Sequence, residues 1–354
     1  MQDAKLIGLS SVQHFLVDGL CICCMFLLAG RYSEQFGAYG DRVGMGAILI
    51  YNVLAFMSQP LTGLMADRMK ARHWLLIASS LLLTLAVATA SLIPAMLDTE
   101  LTVMEDGLGE WLLIVMAVLL GAGNSLFHVW GGKQTVVKTG NDIRALGVFV
   151  STGALGLAVG LVCRSWGLLY GLLLAIVMVS IVYVRWEDYG DKDRENRSLE
   201  NADMSSNQES APMIPFFSRS WLTTERVWLI VVSLMLFVAY RSFTGDVFSK
   251  GITKSQMLIL MIGFVSMLGK MAGGWIALKM GVLRSLVVAL AGVALCIFFR
   301  GDSVMVLLAG IFLMNCTMPV TLFLANDVLP GREGLAFGLL AAALIPGCLM
   351  AVYL

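Results

Sequence analysis

Eleven apolar runs divide the chain: Leu6–Gly30, Val43–Ala66, Trp74–Met96, Trp111–Trp130, Ala145–Val162, Trp166–Val184, Val227–Phe248, Met257–Met280, Val282–Phe299, Val304–Leu324 and Leu335–Leu354. Each comes close to the about 20 residues that a helix needs to cross a bilayer core about 30 Å thick. Barrel strands would be shorter and would alternate in polarity, so each run predicts a transmembrane helix. The only long polar stretch, Arg185–Arg226, separates six runs from five. Its charged segment Asp191–Arg197 and its Ser/Asn-rich continuation predict a linker. A short surface helix is expected at Pro215–Thr224, with Phe216, Phe217 and Trp221 on the membrane. The expected fold is an all-α membrane protein: an N-terminal six-helix bundle over 1–185, a cytoplasmic linker over 186–226, and a C-terminal five-helix bundle over 227–354.

Composition agrees with lipid as the solvent. Of 354 residues, 58% are hydrophobic and 14% charged, against about 25% charged in soluble domains. Lys and Arg number 24, Asp and Glu 24, so no basic surface for nucleic acid is expected. The seven cysteines lie in apolar runs and read as small buried hydrophobes, neither a disulfide frame nor a zinc site. Only Lys5 precedes the first long run, which predicts an uncleaved helix rather than a signal peptide. Trp74, Trp111, Trp130, Trp166 and Trp228 fall at run ends, where interface anchors belong. Gly153, Gly156 and Gly160, and Gly334 and Gly338, have the spacing of close helix contacts.

The charged turn Gly63–Arg72 packs Arg68, Lys70 and Arg72 beside Asp67 between two apolar runs. Clustered basic residues face the cytoplasm. With Lys133, Lys138, Arg144, Lys279, Arg284 and Arg332 falling on the same side, the N-terminus is expected inside. The opposite loop Asp98–Glu110 has five acids and no base. Gly274 followed by Leu278 and Lys279 echoes Gly63 followed by Asp67 and Arg68, and Ser242/Asp246 partly echoes His14/Asp18. The two halves therefore read as distant copies, a common transporter plan.

Ionisable side chains inside a membrane cost about 2.5–3.5 kcal/mol on insertion scales and mark functional sites. His14 and Asp18, four apart, share a helix face and form a proton-responsive pair or a structural one; metal ligation is disfavoured because few other histidines are present. In Gly121–Lys133, Asn124, Ser125, His128 and Lys133 are candidates to line a cavity, with Lys133 at its mouth or snorkelling to water. In the seventh run Arg241 suits an anionic group or an acid, beside Ser242, Thr244 and Asp246. Lys270 is a lone ammonium within the eighth run. Asn315 and Thr317 give the tenth a polar patch. No Walker-type glycine loop is present, so ATP is not the expected driver, and no cofactor is expected.

Gly63-x-x-x-Asp67-Arg68-x-x-x-Arg72 resembles the loop 2–3 signature of the major facilitator superfamily. Gln59-Pro60-x-x-Gly63, His14-x-x-x-Asp18 and Gly121-x-Gly-x-Ser125-x-Phe127-His128 resemble its fosmidomycin-resistance-type efflux branch. The resemblance implies two bundles rocking about a central site, with the first, fourth, seventh and tenth helices lining the cavity. It implies a cytoplasmic gate braced by Asp67, Arg68 and Arg72, and His14, Asp18 and His128 near the path. Departures are Val129 and Trp130 where the branch has Pro and Glu, no Gly-Pro in the fifth helix, and no twelfth helix, as in a truncated, divergent or partner-completed chain. The expected function is proton-coupled secondary transport of a small molecule in the plasma membrane, with efflux favoured. The alternatives are an uptake permease, a non-transporting sensor or scaffold, and an intramembrane aspartyl protease built on Asp18 and Asp246.

Overall fold

A computed structural model describes residues 2–69, 73–97, 107–201, 216–248, 255–299 and 303–346; the side chains of 2, 95–97, 190–201 and 246–248 lie outside the description. The helices are α1 (Gln2–Phe36), α2 (Ala38–Arg68), α3 (Trp74–Leu97), α4 (Leu108–Thr139), α5 (Ile143–Val162), α6 (Trp166–Asn201), α7 (Thr224–Phe248), α8 (Gln256–Met280), α9 (Val282–Phe298), α10 (Val304–Val328) and α11 (Glu333–Ala342). Each apolar run has become a helix. Among the described residues, nine are long and apolar enough to cross a membrane, and α9 and α11 are shorter apolar helices. Their outward faces are Leu- and Val-rich: Leu81, Leu85 and Leu92 on α3 and Leu229, Val232 and Leu236 on α7 are all at least half exposed. Such stripes suit lipid, not water.

Two helices are broken at prolines. α2 passes through a π-helical turn at Val53–Met57 before Pro60, and α10 is interrupted at Thr317 before Pro319. Proline has no N–H for the carbonyl four residues back and its ring crowds it. The widened turn of α2 packs on Gly121 of α4, where a Cβ would come within 2.7 Å of Leu54 Cβ.

The halves meet in two glycine-lined seams. In one, α2 packs on α11: a Cβ on Gly63 would strike the Gly334 carbonyl, and one on Gly338 the Gln59 carbonyl. In the other, α8 packs on α5, and a Cβ on Gly274 would lie 2.6 Å from the Ile143 carbonyl oxygen. Gly63 and Gly274 thus do the same job against the first turn of a helix in the opposite half, which gives the sequence echo its physical meaning. Within the N-terminal half, Gly156 and Gly160 of α5 seat against the Phe15 and Gly19 carbonyls of α1.

Three expectations need correction. Helix α6 runs on to Asn201, well into the predicted linker, because its charged second part still favours helix. The described part of Pro215–Thr224 forms turns, not a surface helix; the Phe217 N–H donates to Asp327 Oδ2 at 3.0 Å and Arg219 Nη1 to the Asp327 carbonyl at 2.7 Å, tying the segment to the end of α10. Trp130 is no interface anchor: α4 extends to Thr139, and Trp130 is buried edge-on against Tyr183 at 4.8 Å. Cys163 is exposed, unlike buried Cys21, Cys23, Cys24 and Cys316.

Candidate functional site

Helix geometry puts His14 and Asp18 on one face of α1, one turn apart, and both are buried. Gly153 of α5 leaves them room, since a Cβ there would overlap Asp18 Oδ2 and His14 Nε2. His128 of α4 completes the group. His14 Nε2 lies 3.2 Å from Asp18 Oδ2, and His128 Nε2 3.4 Å from Asp18 Oδ1. The two imidazoles stand edge to face with centroids 4.6 Å apart. Asn124 Nδ2 donates to Asp18 Oδ1 at 3.3 Å and to the Tyr51 hydroxyl at 3.4 Å.

The far sides of the rings decide what this arrangement can do. His14 Nδ1 bonds the Phe149 carbonyl at 2.8 Å, and His128 Nδ1 bonds the Asn124 carbonyl at 3.0 Å. A carbonyl can only accept, so each Nδ1 carries a hydrogen. Each Nε2 of a neutral ring is then a bare lone pair aimed at a carboxylate oxygen. With Asp18 ionised and both rings neutral, acceptors face acceptors. The cluster is satisfied when protons, or another cation, sit between them. The donor atoms of His14, Asp18 and His128 all lie within 4.8 Å of one another, so the third ligand whose lack disfavoured a metal in the sequence is supplied from another helix.

The cluster forms one wall of a cavity of about 290 Å³ between the halves, whose lining includes Tyr51, Phe56, Thr321 and Phe337. Arg241 of α7 and Lys270 of α8 line the facing wall, and both also line an adjoining cavity of about 420 Å³ with Ser242, Ser266 and Asn315. Arg241 is buried and its Nη1 has no hydrogen-bond partner among the described residues. No ion pair or hydrogen bond joins Lys270 to any described residue.

At one end of the α2–α11 seam lies a latch. Asp67 accepts from the Gly334 N–H (Oδ1) and the Leu335 N–H (Oδ2), each at 2.9 Å. These are free donors of the first turn of α11 and the positive end of its dipole. Lys133 Nζ stands 3.3 Å from Asp67 Oδ1 and donates to the Ala66 carbonyl at 2.7 Å. The equivalent position on α8 is Leu278, and the first turn of α5 is capped instead by its own Asp142, which accepts from the Arg144 N–H at 2.8 Å. The echo around Gly274 is faint for that reason.

The structure therefore gathers His14, Asp18 and His128 with Arg241 around one cavity, and joins Asp67 to Gly63 at the seam. Asn315 lines the adjoining cavity. Asn124 lies behind the cluster as a hydrogen-bonding support. Ser125 is not in the cavity lining: it bonds Ser58 at 2.8 Å and sits near Thr62 at 3.1 Å, between α2 and α4. Lys133 belongs to the latch and not to the cavity. Thr317 is buried and donates to the Met314 carbonyl at the α10 break. Arg68 is exposed; Arg72 and the Asp246 side chain lie outside the described residues. Sequence reasoning noticed Lys270 without assigning it to the site, and it passed over Tyr51 and Thr321. The unpaired charge of Lys270 was the usable signal; the other two look like ordinary helix residues.

The sequence model described as Major Facilitator Superfamily matches residues 14–351. No curated protein matches the chain. Among solved structures, it is similar to the crystal structure of a bacterial homologue of the iron transporter ferroportin in an outward-facing state, with 14% identity and a TM-score of 0.55 over 98% of this chain and 90% of that one. A second such structure, with soaked iron, has 14% identity and a TM-score of 0.49 over 98% and 89%. At this identity the likeness speaks to fold alone, and none of these matches carries the fosmidomycin-resistance branch. Matched from His14 in α1 to residue 351, through both helical halves, the chain belongs to the major facilitator superfamily of membrane transporters.

Proposed function

We propose that this transporter moves a small molecule by alternating access and draws its energy from protons held by the His14–Asp18–His128 cluster. One observation carries the reading: two Nε2 atoms converge on the two oxygens of a single buried carboxylate beside the inter-half cavity. Loaded with protons, the cluster ties α1 to α4 and, through the Phe149 carbonyl, to α5. Stripped of them, it sets lone pairs against a carboxylate, and the helices gain a reason to move. Each proton descending 100 mV supplies about 2.3 kcal/mol. With the N-terminus inside the plasma membrane, as the basic loops argue, the Asp67 latch closes the cytoplasmic side. Export is favoured by the motif resemblance alone. A neutral or cationic substrate would exchange with the proton, and an anion would travel with it.

Proton uptake by the purified protein, followed across a full pH titration, tests this without knowledge of the substrate. Asp18→Asn is expected to lose the uptake assigned to the cluster, as are His14→Gln and His128→Gln in part. Unchanged uptake, or unchanged proton-driven flux of Asp18→Asn in proteoliposomes, removes Asp18 from the mechanism. Substrate-dependent stabilisation without flux would favour the scaffold alternative. As a member of a transporter family the chain is a carrier and not an enzyme, which sets the protease alternative aside.

A second reading, carriage of a divalent transition metal, follows from the same two imidazoles and carboxylate, a donor set that suits such ions. Arg241 and Lys270 across the cavity weigh against a dication. Stabilisation by Mn²⁺ or Zn²⁺ that disappears in His128→Gln would favour it.

A further inference from the structure

The transport mechanism proposed above leaves two cations unused, the buried Arg241 and the half-buried Lys270. Arg241 and Lys270 come from different helices of the C-terminal half and line both cavities. Arg241 Nη1 is buried without a partner among the described residues. Burying a guanidinium donor unpaired is costly, and a charge in the membrane interior wants a counter-charge. The wall opposite offers one carboxylate, Asp18, already shared between two imidazoles.

Among the described residues, the ionisable groups facing this space are few: Asp18 and His14 on α1, Tyr51 on α2, His128 on α4, Arg241 on α7 and Lys270 on α8. The linings contributed by α5, α10 and α11 hold no ionisable side chain. With Asp18 ionised and both imidazoles neutral, two positive charges face one negative. Every proton added to the cluster makes the cavity more positive. The rest of the wall around the cluster is mainly apolar and aromatic, with Ile22, Phe56, Val238 and Phe337 beside the polar Asn52 and Thr321.

We infer that the substrate is a small organic anion, a carboxylate or a phosphate-type group on an apolar body, whose anionic group sits between Arg241 and Lys270. Arg offers a planar fork for such groups and Lys a point charge. The apolar body lies against Phe56 and Phe337. A cavity near 290 Å³ is at the lower end of ligand pockets, roughly 300–1,000 Å³, which fits a metabolite-sized anion. This rests on the transport reading, and it sets the sign of the coupling: proton loading of the cluster and anion binding reinforce each other, so the two travel together and uptake gains over export.

The test measures the charge of the cavity directly. Ala341→Cys, on the α11 wall, and Thr321→Cys, on the α10 wall, are each treated with two thiol reagents of similar size, sulfonatoethyl and trimethylammonioethyl methanethiosulfonate. Modification at the introduced site is followed by mass spectrometry and normalised to free cysteine. The expected result is a preference for the anionic reagent of at least about tenfold, since a factor of ten corresponds to 1.4 kcal/mol. Adding Arg241→Gln and Lys270→Met abolishes it, bringing the ratio to one or below, and benzoate or phenylphosphonate slows labelling of the parent cavity where benzamide and benzylamine do not. Should the double variant fail to fold, the single Lys270→Met variant, expected to lose part of the preference, takes its place. Preference for the cationic reagent, no preference, or silence of both reporters overturns the anion site. Proton-driven flux that survives in Arg241→Gln/Lys270→Met removes the anion and leaves the transport reading standing. A charge preference that survives while Asp18→Asn retains its proton uptake does the reverse.

Discussion

Replacing Asp67 by alanine is expected to open the α2–α11 seam. The Asp67 side chain is buried and its two oxygens accept separately from the Gly334 and Leu335 N–H groups, both at 2.9 Å. A lost N-cap costs about 0.5–2 kcal/mol, and a charge at a helix N-terminus contributes about 0.3–1 kcal/mol, up to about 2 when partly buried. The two overlap, so about 2–3 kcal/mol is the appropriate size for the whole. At 1.4 kcal/mol per tenfold, the closed-to-open ratio at this end falls by roughly 30- to 140-fold. Asn keeps one acceptor oxygen and one of the two bonds, so Asp67→Asn is expected to shift the ratio by about tenfold. Lys133 keeps its bond to the Ala66 carbonyl in both variants. Spin labels at Met69→Cys and Arg332→Cys, in a Cys163→Ser background, would read the separation by pulsed electron resonance. A longer-distance population should appear in Asp67→Ala and, more weakly, in Asp67→Asn. An unchanged distance distribution accompanied by a lower melting temperature would show that Asp67 is a plain cap and that the seam is held by packing.

Three further outcomes follow from the geometry. Gly338→Ala drives a Cβ into the Gln59 carbonyl, so it should open the same seam and destabilise the protein by about 1–3 kcal/mol, whereas Gly8→Ala, with nothing within 4 Å, should stay within about 0.5 kcal/mol in thermal melts. Glu187 is buried and takes the Lys138 ammonium at 2.7 Å; Glu187→Ala strands that charge and should cost about 3 kcal/mol, read as a lower unfolding midpoint, with Glu187→Gln milder. Asp142, in the turn before α5, has its pKa held below 3.8: burial opposes ionisation, and the hydrogen bonds from the Arg144 side chain and main chain outweigh it. Because the folded value is the lower one, its contribution is complete above the unfolded value of 3.8 and fades as pH falls through the folded value. Acid melts between about pH 5 and about pH 2 should therefore show a loss in the parent that is absent in Asp142→Ala.

The apolar runs alone determined that this is a helical membrane protein, because bilayer thickness and backbone hydrogen bonding leave a long apolar segment one option. They also located each helix, while the breaks before Pro60 and Pro319 appeared only in the structure. His14 and Asp18 could be paired from their spacing, since helical periodicity is a local property. Nothing local says that His128 closes the same cluster from 110 residues away, that Lys270 and Arg241 line the same cavity as that cluster, or that Lys133 turns toward Asp67 at the seam. Trp130 shows the same division: at the end of an apolar run it has the profile of an interface anchor, and the continuation of α4 with Tyr183 beside it makes it core. Hydropathy records what each segment prefers as its solvent. Which side chains share a cavity depends on how helix faces are rotated and seated against one another, and here glycines at 63, 156, 160, 274, 334 and 338 set that seating by letting backbones touch, while Gly153 leaves room for the His14 and Asp18 side chains.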